Sequence, residues 1–315
     1  MKAIVVNEFG GREVLKYADL PMPESGEGEV LLRVKAAGVN PVDWKIRAGY
    51  LKDFYPYEFP IVLGWDLAGA VEKLGYSARR FKPGDEVYAY CRRPVIQHGT
   101  YAEYVAIPES YFTVRPKNIS FEEAAAIPLA GLTAYQSVYD AVKLKAGESI
   151  LILGASGGVG SFGVQLAKIV GAKVVAVASK RNHAYLKELG ADEAEDYASG
   201  DFRDAVKSVL PQGADVVFDC FGLEALAKGY DCVKRGGRVV SILVRESKEL
   251  AAKAGATHHY VFVEPNVLEL DHIRSLVEAG KLKVHLSSVH PLAEAARAHE
   301  VMETGHTRGK IVLKM

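Results

Sequence analysis

The chain has 315 residues, 49% of them apolar and 25% charged, with 39 Lys and Arg against 39 Asp and Glu. That length exceeds one small core and suits two domains. Zero formal charge supplies no field to draw in nucleic acid or an anionic membrane.

Three cysteines, Cys91, Cys220 and Cys232, form no Cys-x-x-Cys pair and make no disulfide framework. A reducing compartment follows. No apolar run approaches the roughly 20 residues of a membrane helix, and the first residues lack the charged-then-apolar pattern of a signal peptide. The expected location is the cytoplasm.

In chain order, Lys2 to Asn7 reads as a strand, and so does Glu29 to Ala37 between Gly28 and Gly38. Pro21, Pro23, Pro41, Pro56, Pro60 and Pro83 break helices and favour turns between short strands. Glu86 to Tyr90 and Tyr101 to Ile107 are further strands. The texture changes at Ser120-Phe121-Glu122-Glu123, a capping box that opens an Ala-rich helix. A second helix begins near Leu132.

Strand and helix then alternate. Strands are predicted at Ser149–Leu153, Lys173–Ala178, Asp215–Asp219, Arg238–Leu243 and Tyr260–Val263, with helices at Val159–Val170 and Asn182–Leu189. Apolar strands alternating with helices indicate a doubly wound parallel sheet of the α/β class. Helices at Val267–Ala279 and Leu292–Met302 and a strand at Lys310–Lys314 close the chain. The predicted division is a β-rich domain of residues 1–118 plus 265–315, with an α/β insert at 119–264.

The strongest chemical signal is Gly154-Ala155-Ser156-Gly157-Gly158-Val159-Gly160, between a strand and a helix. Glycines let the backbone turn tightly and approach a pyrophosphate, and a helix N-terminus offers N–H groups and partial positive charge. The spacing is one residue longer than the usual fingerprint. After the second strand stand Ser179, Lys180 and Arg181, with no carboxylate between Ala178 and Glu188. An acid there would hold a ribose 2′-hydroxyl, whereas Lys or Arg suits a 2′-phosphate. NADPH is the expected cofactor. Tyr197 is a candidate for the adenosine end. Cys220 and Phe221 follow one strand, and Leu243 and Val244 lie at the end of the next, where such sheets bind cofactors.

Several ordered motifs carry a wider resemblance. They are Ala37-Gly38-Val39-Asn40-Pro41-Val42-Asp43, Gly64-Trp65-Asp66-Leu67-Ala68-Gly69, Phe81 to Val87, Ala130-Gly131-Leu132-Thr133-Ala134, the glycine loop, Leu189-Gly190-Ala191-Asp192, and Arg308 to Leu313. Over nearly its whole length the chain resembles the zeta-crystallin-like quinone oxidoreductases of the medium-chain dehydrogenase/reductase superfamily. The resemblance implies a GroES-like catalytic domain with an inserted Rossmann domain, and a possible homodimer. Zinc-dependent members bind metal at positions that match Asn40, Trp65 and Ala130, none of which is a usual zinc ligand. The expected enzyme is therefore zinc-free and passes hydride to a quinone or an α,β-unsaturated carbonyl, whose conjugation spreads the developing charge.

The resemblance places Asn40 and Thr133 near the nicotinamide. It makes Lys45, in Asn40-Pro41-Val42-Asp43-Trp44-Lys45, a candidate donor to an enolate oxygen, with Asp43 orienting Lys45 or the backbone. Tyr50 and Trp65, in an aromatic-rich stretch that also holds Phe54, Tyr55, Tyr57 and Phe59, are candidates for a flat substrate's pocket. Each of these residues also has an ordinary reading as turn, core or surface. Two alternatives stay open. One is an enoyl reductase for acyl-CoA or carrier-linked substrates, with Arg79-Arg80 and Arg92-Arg93 as a phosphate patch. The other is a non-catalytic NADPH-binding protein.

Overall fold

The computed structural model describes residues 1–198 and 200–315, with the side chain of Leu223 outside the description. Two compact units form: Met1–Leu129 with Pro265–Ala279 and Val284–Met315, and Ala130–Glu264 with Gly280–Lys283. Among the described residues no helix is long and apolar enough to cross a membrane.

The first unit holds strands β1 (Lys2–Val6), β2 (Lys16–Asp19), β3 (Glu29–Val39), β4 (Tyr57–Val62), β5 (Asp66–Leu74), β6 (Glu86–Tyr90), β7 (Ile96–His98), β8 (Tyr104–Pro108) and β9 (Phe112–Val114). One sheet runs β2-β1-β4-β7. Helix α1 (Pro41–Arg47) follows β3 directly, with Asn40 at its N-cap and Pro41 in the first turn. Proline suits that position because its missing N–H has no intrahelical partner there. Val30, Leu32, Val34, Leu67, Val87, Val105, Ile107 and Phe112 fill a core among the strands.

Helix α2 (Phe121–Ala125) opens with the expected capping box: Ser120 Oγ accepts from Glu123 N–H at 3.1 Å and Glu123 returns a carboxylate to Ser120 N–H at 2.8 Å. It belongs to the first unit, not to the insert as its sequence position suggests. Gly38 explains this. A Cβ there would run into the Ala125 carbonyl, so glycine lets α2 lie directly on β3.

The second unit begins within α3 (Pro128–Tyr135), which continues as a π-helical segment over Gln136–Ala141. Strands β10 (Ser149–Leu153), β11 (Lys173–Val177), β12 (Glu193–Glu195), β13 (Ala214–Asp219), β14 (Val233–Ser241) and β15 (Thr257–Tyr260) form one sheet in the order β12-β11-β10-β13-β14-β15. Every pair in it is parallel. Helices α4 (Gly158–Val170), α5 (His183–Glu188), α6 (Phe202–Val209), α7 (Leu223–Tyr230) and α8 (Lys248–Ala254) link the strands. Leu151, Leu153, Val175, Val177, Val217 and Val239 point to one face, against α6, α7 and α8. Ile152 and Phe218 point to the other, where Gly163 of α4 leaves room for the Phe218 ring. Both faces are thus covered, which is why these strands are apolar throughout.

The last strand is β15, at Thr257–Tyr260, earlier than the predicted Tyr260–Val263. His258 and His259 therefore lie in the strand, paired with Val239 and Val240. The chain then returns to the first unit as α9 (Val267–Glu278), β16 (Leu286–Pro291), α10 (Ala295–Glu303) and β17 (Lys310–Lys314). There β17 joins β3 in a seven-stranded sheet of order β16-β17-β3-β5-β6-β9, with β8 also paired to β3.

Candidate functional site

In the second unit the site starts at the glycine loop. Gly154 has φ of +71°, which a side chain would strain. A Cβ on Gly160 would collide with the Gly154 carbonyl and come within 2.7 Å of Ala155 Cα. The first turn of α4 is thereby drawn tight against the end of β10. Its N-cap is Gly157, which has no side chain to cap the N–H groups of that turn. The loop is a cradle for a pyrophosphate, and the residues fit a dinucleotide.

The loop is tied to the end of β11. Ala155 N–H donates to Val177 O at 3.1 Å, and Asn182 Nδ2 donates to Ser156 Oγ at 3.0 Å and Ser179 Oγ at 3.1 Å. Asn182 is buried, and nothing in its own stretch of sequence singles it out; its amide fixes the segment that displays Lys180 and Arg181, both exposed. On the other side of β10, a Cβ at Gly154 would meet Cys220 at 3.4 Å and Phe221 at 3.5 Å, and one at Gly222 would meet Leu243 at 3.6 Å. Tyr197 and Phe221 face each other with ring centroids 6.2 Å apart. Phe221, Leu243 and Tyr197 are 58%, 44% and 43% exposed. The glycine loop, the Ser179–Arg181 segment, Tyr197, Cys220, Phe221, Leu243 and Val244 thus gather at the C-terminal end of one sheet.

Two further residues hold these loops. Asp219 and Ser241 are both fully buried, and neither is among the candidates that sequence reasoning finds. Asp219 Oδ1 accepts from Phe221 N–H at 3.0 Å and Gly222 N–H at 2.9 Å; its Oδ2 accepts from Ser241 Oγ at 2.7 Å. Ser241 Oγ in turn accepts from Leu243 N–H at 3.1 Å and Val244 N–H at 2.9 Å. Burial, with Asp219 adding to it, raises the Cys220 thiol well above its usual range, which disfavours the thiolate. Thr133 is buried in α3, and its carbonyl accepts from Ser137 Oγ at 2.7 Å.

In the first unit, α1 carries Lys45. Burial lowers its ammonium, and Nζ sits 5.8 Å from the Trp44 ring. Asp43 does not orient Lys45. It accepts from Asn40 N–H at 2.8 Å and Tyr101 Oη at 2.9 Å, closing the helix N-terminus, so the backbone alternative is the one the contacts favour. Its Oδ1 has no hydrogen-bond partner among the described residues, and burial pushes the carboxyl up to about 7.

Asn40 needs correction. The side chain is 1% exposed. Nδ2 donates to Asp66 Oδ2 at 2.9 Å and Oδ1 accepts from Lys310 Nζ. The amide expected to touch a ribose or substrate is engaged by two buried charged groups instead. Burial pushes Asp66 up to about 6, opposed by Lys310 and by the bonds from Asn40 and Leu129. The cluster continues through His299 Nε2, 3.4 Å from Tyr101 Oη, and Arg47 Nη1, which donates to His299 Nδ1 at 3.1 Å and Glu303 at 2.8 Å. Sequence reasoning misses Asp66, Tyr101, His299 and Lys310 as partners.

Trp65 lines a shallow solvent-open depression with Ile46, Leu63, Cys91, Val95 and His98, with room for about one water. Tyr50 is not part of that lining; it is 65% exposed and packs edge-on to Trp44 at 5.8 Å. Tyr57 and Phe59 pack edge-on against Phe9, with ring centroids 4.8 Å and 5.1 Å away. The proposed phosphate patch also finds other partners. Arg79 Nη1 donates to Ala78 O and Arg80 Nη1 to Glu109 O, each at 2.8 Å, and Arg93 donates to Ala106 O. Among the described residues no three His, Cys, Asp or Glu side chains converge to hold a metal.

Comparison with known proteins adds to this geometry. Residues 26–117 match an alcohol dehydrogenase GroES-like domain, and residues 189–313 match a zinc-binding dehydrogenase domain. An NADPH-dependent alkenal/one oxidoreductase of Arabidopsis thaliana is 38% identical over 322 residues, spanning 99% of this chain and 79% of that one. A chloroplast envelope quinone oxidoreductase homolog of the same plant is 33% identical, spanning 100% and 98%. Among solved structures, the quinone oxidoreductase from Coxiella burnetii superposes with a TM-score of 0.91 at 37% identity over 100% and 99% of the chains. Escherichia coli quinone oxidoreductase complexed with NADPH gives 0.91 at 28% identity over 100% of both.

Proposed function

The chain belongs to the quinone oxidoreductase branch of the medium-chain dehydrogenase/reductase superfamily, and from that premise we propose that it uses NADPH to reduce a quinone or an α,β-unsaturated carbonyl without zinc. One observation carries the cofactor: a glycine cradle at the head of α4, tied through Asn182 to a segment that displays Lys180 and Arg181. Two cations with no carboxylate between Ala178 and Glu188 suit a 2′-phosphate and repel nothing on it. Exposed Phe221, Leu243 and Tyr197 around the same loop give apolar surface for a ligand to cover.

When bound, a dihydronicotinamide supplies a hydride. The protein's part is placement and charge. Hydride adds to the acceptor's conjugated carbon, and the electron pair moves to the carbonyl oxygen as an enolate or hydroquinone anion. Lys45 is the cation we assign to that oxygen. Its lowered ammonium gives up a proton more readily than an ordinary lysine. No Lewis acid is needed for a conjugated acceptor, and the zinc-independent reading rests on donor chemistry: Asn40, Trp65 and Ala130 stand at the ligand positions, and the neighbouring carboxylate of Asp66 is taken by Asn40 and Lys310. The three free thiols favour a reducing compartment such as the cytoplasm. For the possible homodimer, β15 is the outermost strand on its side of the sheet.

The test follows loss of 340 nm absorbance with NADPH and with NADH against a naphthoquinone, a benzoquinone, an alkenal and an enone. Turnover with NADPH and weak turnover with NADH is expected. A preference for NADH would overturn the 2′-phosphate assignment. In the same assay Lys45→Ala should lower kcat about tenfold or more with little change in NADPH affinity; an unchanged kcat would remove Lys45 from the chemistry.

A further inference from the structure

We propose that Asp219 and Ser241 are positioning residues for the nicotinamide half of the cofactor, acting as one buried clasp on two loops. The inference rests on the NADPH reading above and goes beyond it by naming what sets the geometry.

The sheet order gives the two halves of the site. The glycine loop follows β10, and the end of β11, on one side of it, carries Lys180 and Arg181 for the adenosine half. β13 and β14 lie on the other side of β10. A dinucleotide whose pyrophosphate lies on the glycine loop must send its other half over the ends of β13 and β14. The segments there are Cys220–Gly222 and Ile242–Val244.

Those segments carry no regular structure that would fix them. Gly222 has φ of +120°, outside the range of a stiff strand. Backbone bonds hold the first residue of each, Cys220 N–H to Leu153 O at 3.1 Å and Ile242 N–H to Asp219 O at 3.2 Å, and the clasp holds the N–H groups that follow. Four backbone N–H groups, of Phe221, Gly222, Leu243 and Val244, turn inward onto one carboxylate and one hydroxyl. The Ser241 O–H then joins the two acceptors into a single unit. Both side chains are fully buried, so neither touches a ligand itself.

Val244 is held from both ends. Its carbonyl lies 2.9 Å from His258 Nε2. A carbonyl only accepts, so Nε2 bears the hydrogen, and Nδ1 on the other side of the ring is hydrogen-bonded with Tyr230 Oη at 2.7 Å. Inward N–H groups leave these loops to meet a ligand with carbonyls and side chains. Phe221 and Leu243 are the side chains left outward. A nicotinamide ring needs apolar contact on one face, and hydride transfer tolerates little error in its placement.

The test separates positioning from structural support by using two ligands. One is NADPH, followed by its own fluorescence. The other is 2′-phospho-ADP-ribose, which has the adenosine half and pyrophosphate but no nicotinamide. Ser241→Ala removes the hydroxyl. Asp219→Asn keeps an acceptor for the Phe221 and Gly222 N–H groups but places an NH₂ where Ser241 donates.

Both variants should raise the Kd for NADPH about tenfold and lower kcat, while the Kd for 2′-phospho-ADP-ribose stays within about twofold. Equal loss of both ligands, or of neither, would overturn the proposal. Equal loss means the pair merely supports the fold; loss of neither means the loops do not depend on it. Failure of the wild-type protein to bind NADPH is a separate result and would strike the cofactor reading instead.

Discussion

Replacing Asp43 by Asn probes the balance of charge in the first unit. Asp43 is fully buried, and burial lifts its carboxyl from 3.8 to about 7 against the pull of the Asn40 N–H and Tyr101 Oη. A carboxyl whose folded value exceeds its unfolded value stabilises most below pH 3.8, and the contribution is lost as pH rises through about 7. At roughly 1.4 kcal/mol per pH unit, that interval is worth about 4 kcal/mol.

His299 has the opposite sign. Burial and then Arg47 push it from 6.5 down to about 3, so its contribution is present above pH 6.5 and lost on acidification toward 3. Asp66, lifted to about 6, acts in the same sense as Asp43 but is common to wild type and variant. An Asn at 43 keeps the shape and an acceptor for both donors, and puts its NH₂ at the oxygen that has no partner. Asp43→Asn should therefore be more stable than wild type at pH 8 and lose more than half of that advantage by pH 5. At roughly 2–4 °C per kcal/mol for a unit of this size, the gap in melting midpoint at pH 8 is about 10 °C. Melting followed by near-ultraviolet circular dichroism from pH 5 to 8.5 measures it. Parallel curves for the two proteins would refute the reasoning.

Gly160→Ala should cost at least roughly 1–3 kcal/mol, since the new methyl meets backbone of Gly154 and Ala155 that has no rotamer to escape into; it should also weaken NADPH binding, and an unchanged melting midpoint with intact binding would contradict the tight-cradle geometry. Cys91, Cys220 and Cys232 all have thiols raised by burial. At pH 7.5 a disulfide reagent should label the folded chain slowly and all three thiols after unfolding. Rapid labelling of native protein would show that a thiolate is exposed, and would make self-alkylation by enone substrates a real hazard.

The glycine loop is legible in sequence because its chemistry is local. Tight turn, strand before and helix after are all written within a dozen residues, and the basic pair after β11 needs only a count along the chain. Helix α1 is also written locally, in Asn40, Pro41 and Asp43 as cap, first turn and third position. It reads as a loop because the proline density of the first domain argues for turns, and a proline that starts a helix has the same letter as one that breaks it. Strand β15 slips because His258 and His259 are polar, yet they sit at a sheet edge where β14 supplies only one neighbour.

The buried polar clusters are not legible, and the reason is physical. Asp66, Tyr101, His299 and Lys310 come from β5, the segment before β8, α10 and β17, and each looks like surface on its own segment. Only the pairing of β17 with β3 brings Lys310 to Asn40, and only that meeting makes burial of either charge tolerable. His299 is the exception that local pattern reaches. Ala295, Ala298, His299 and Met302 fall at i, i+3, i+4 and i+7 of α10, and the first three are buried. A histidine on the apolar stripe of a helix must find its hydrogen bonds inside the protein, and this one finds Arg47 and Tyr101. Asp219 and Ser241 obey the same rule on strands. Each ends a run of apolar residues that a parallel sheet buries on both faces, so a polar side chain at that position is bound to take an internal partner.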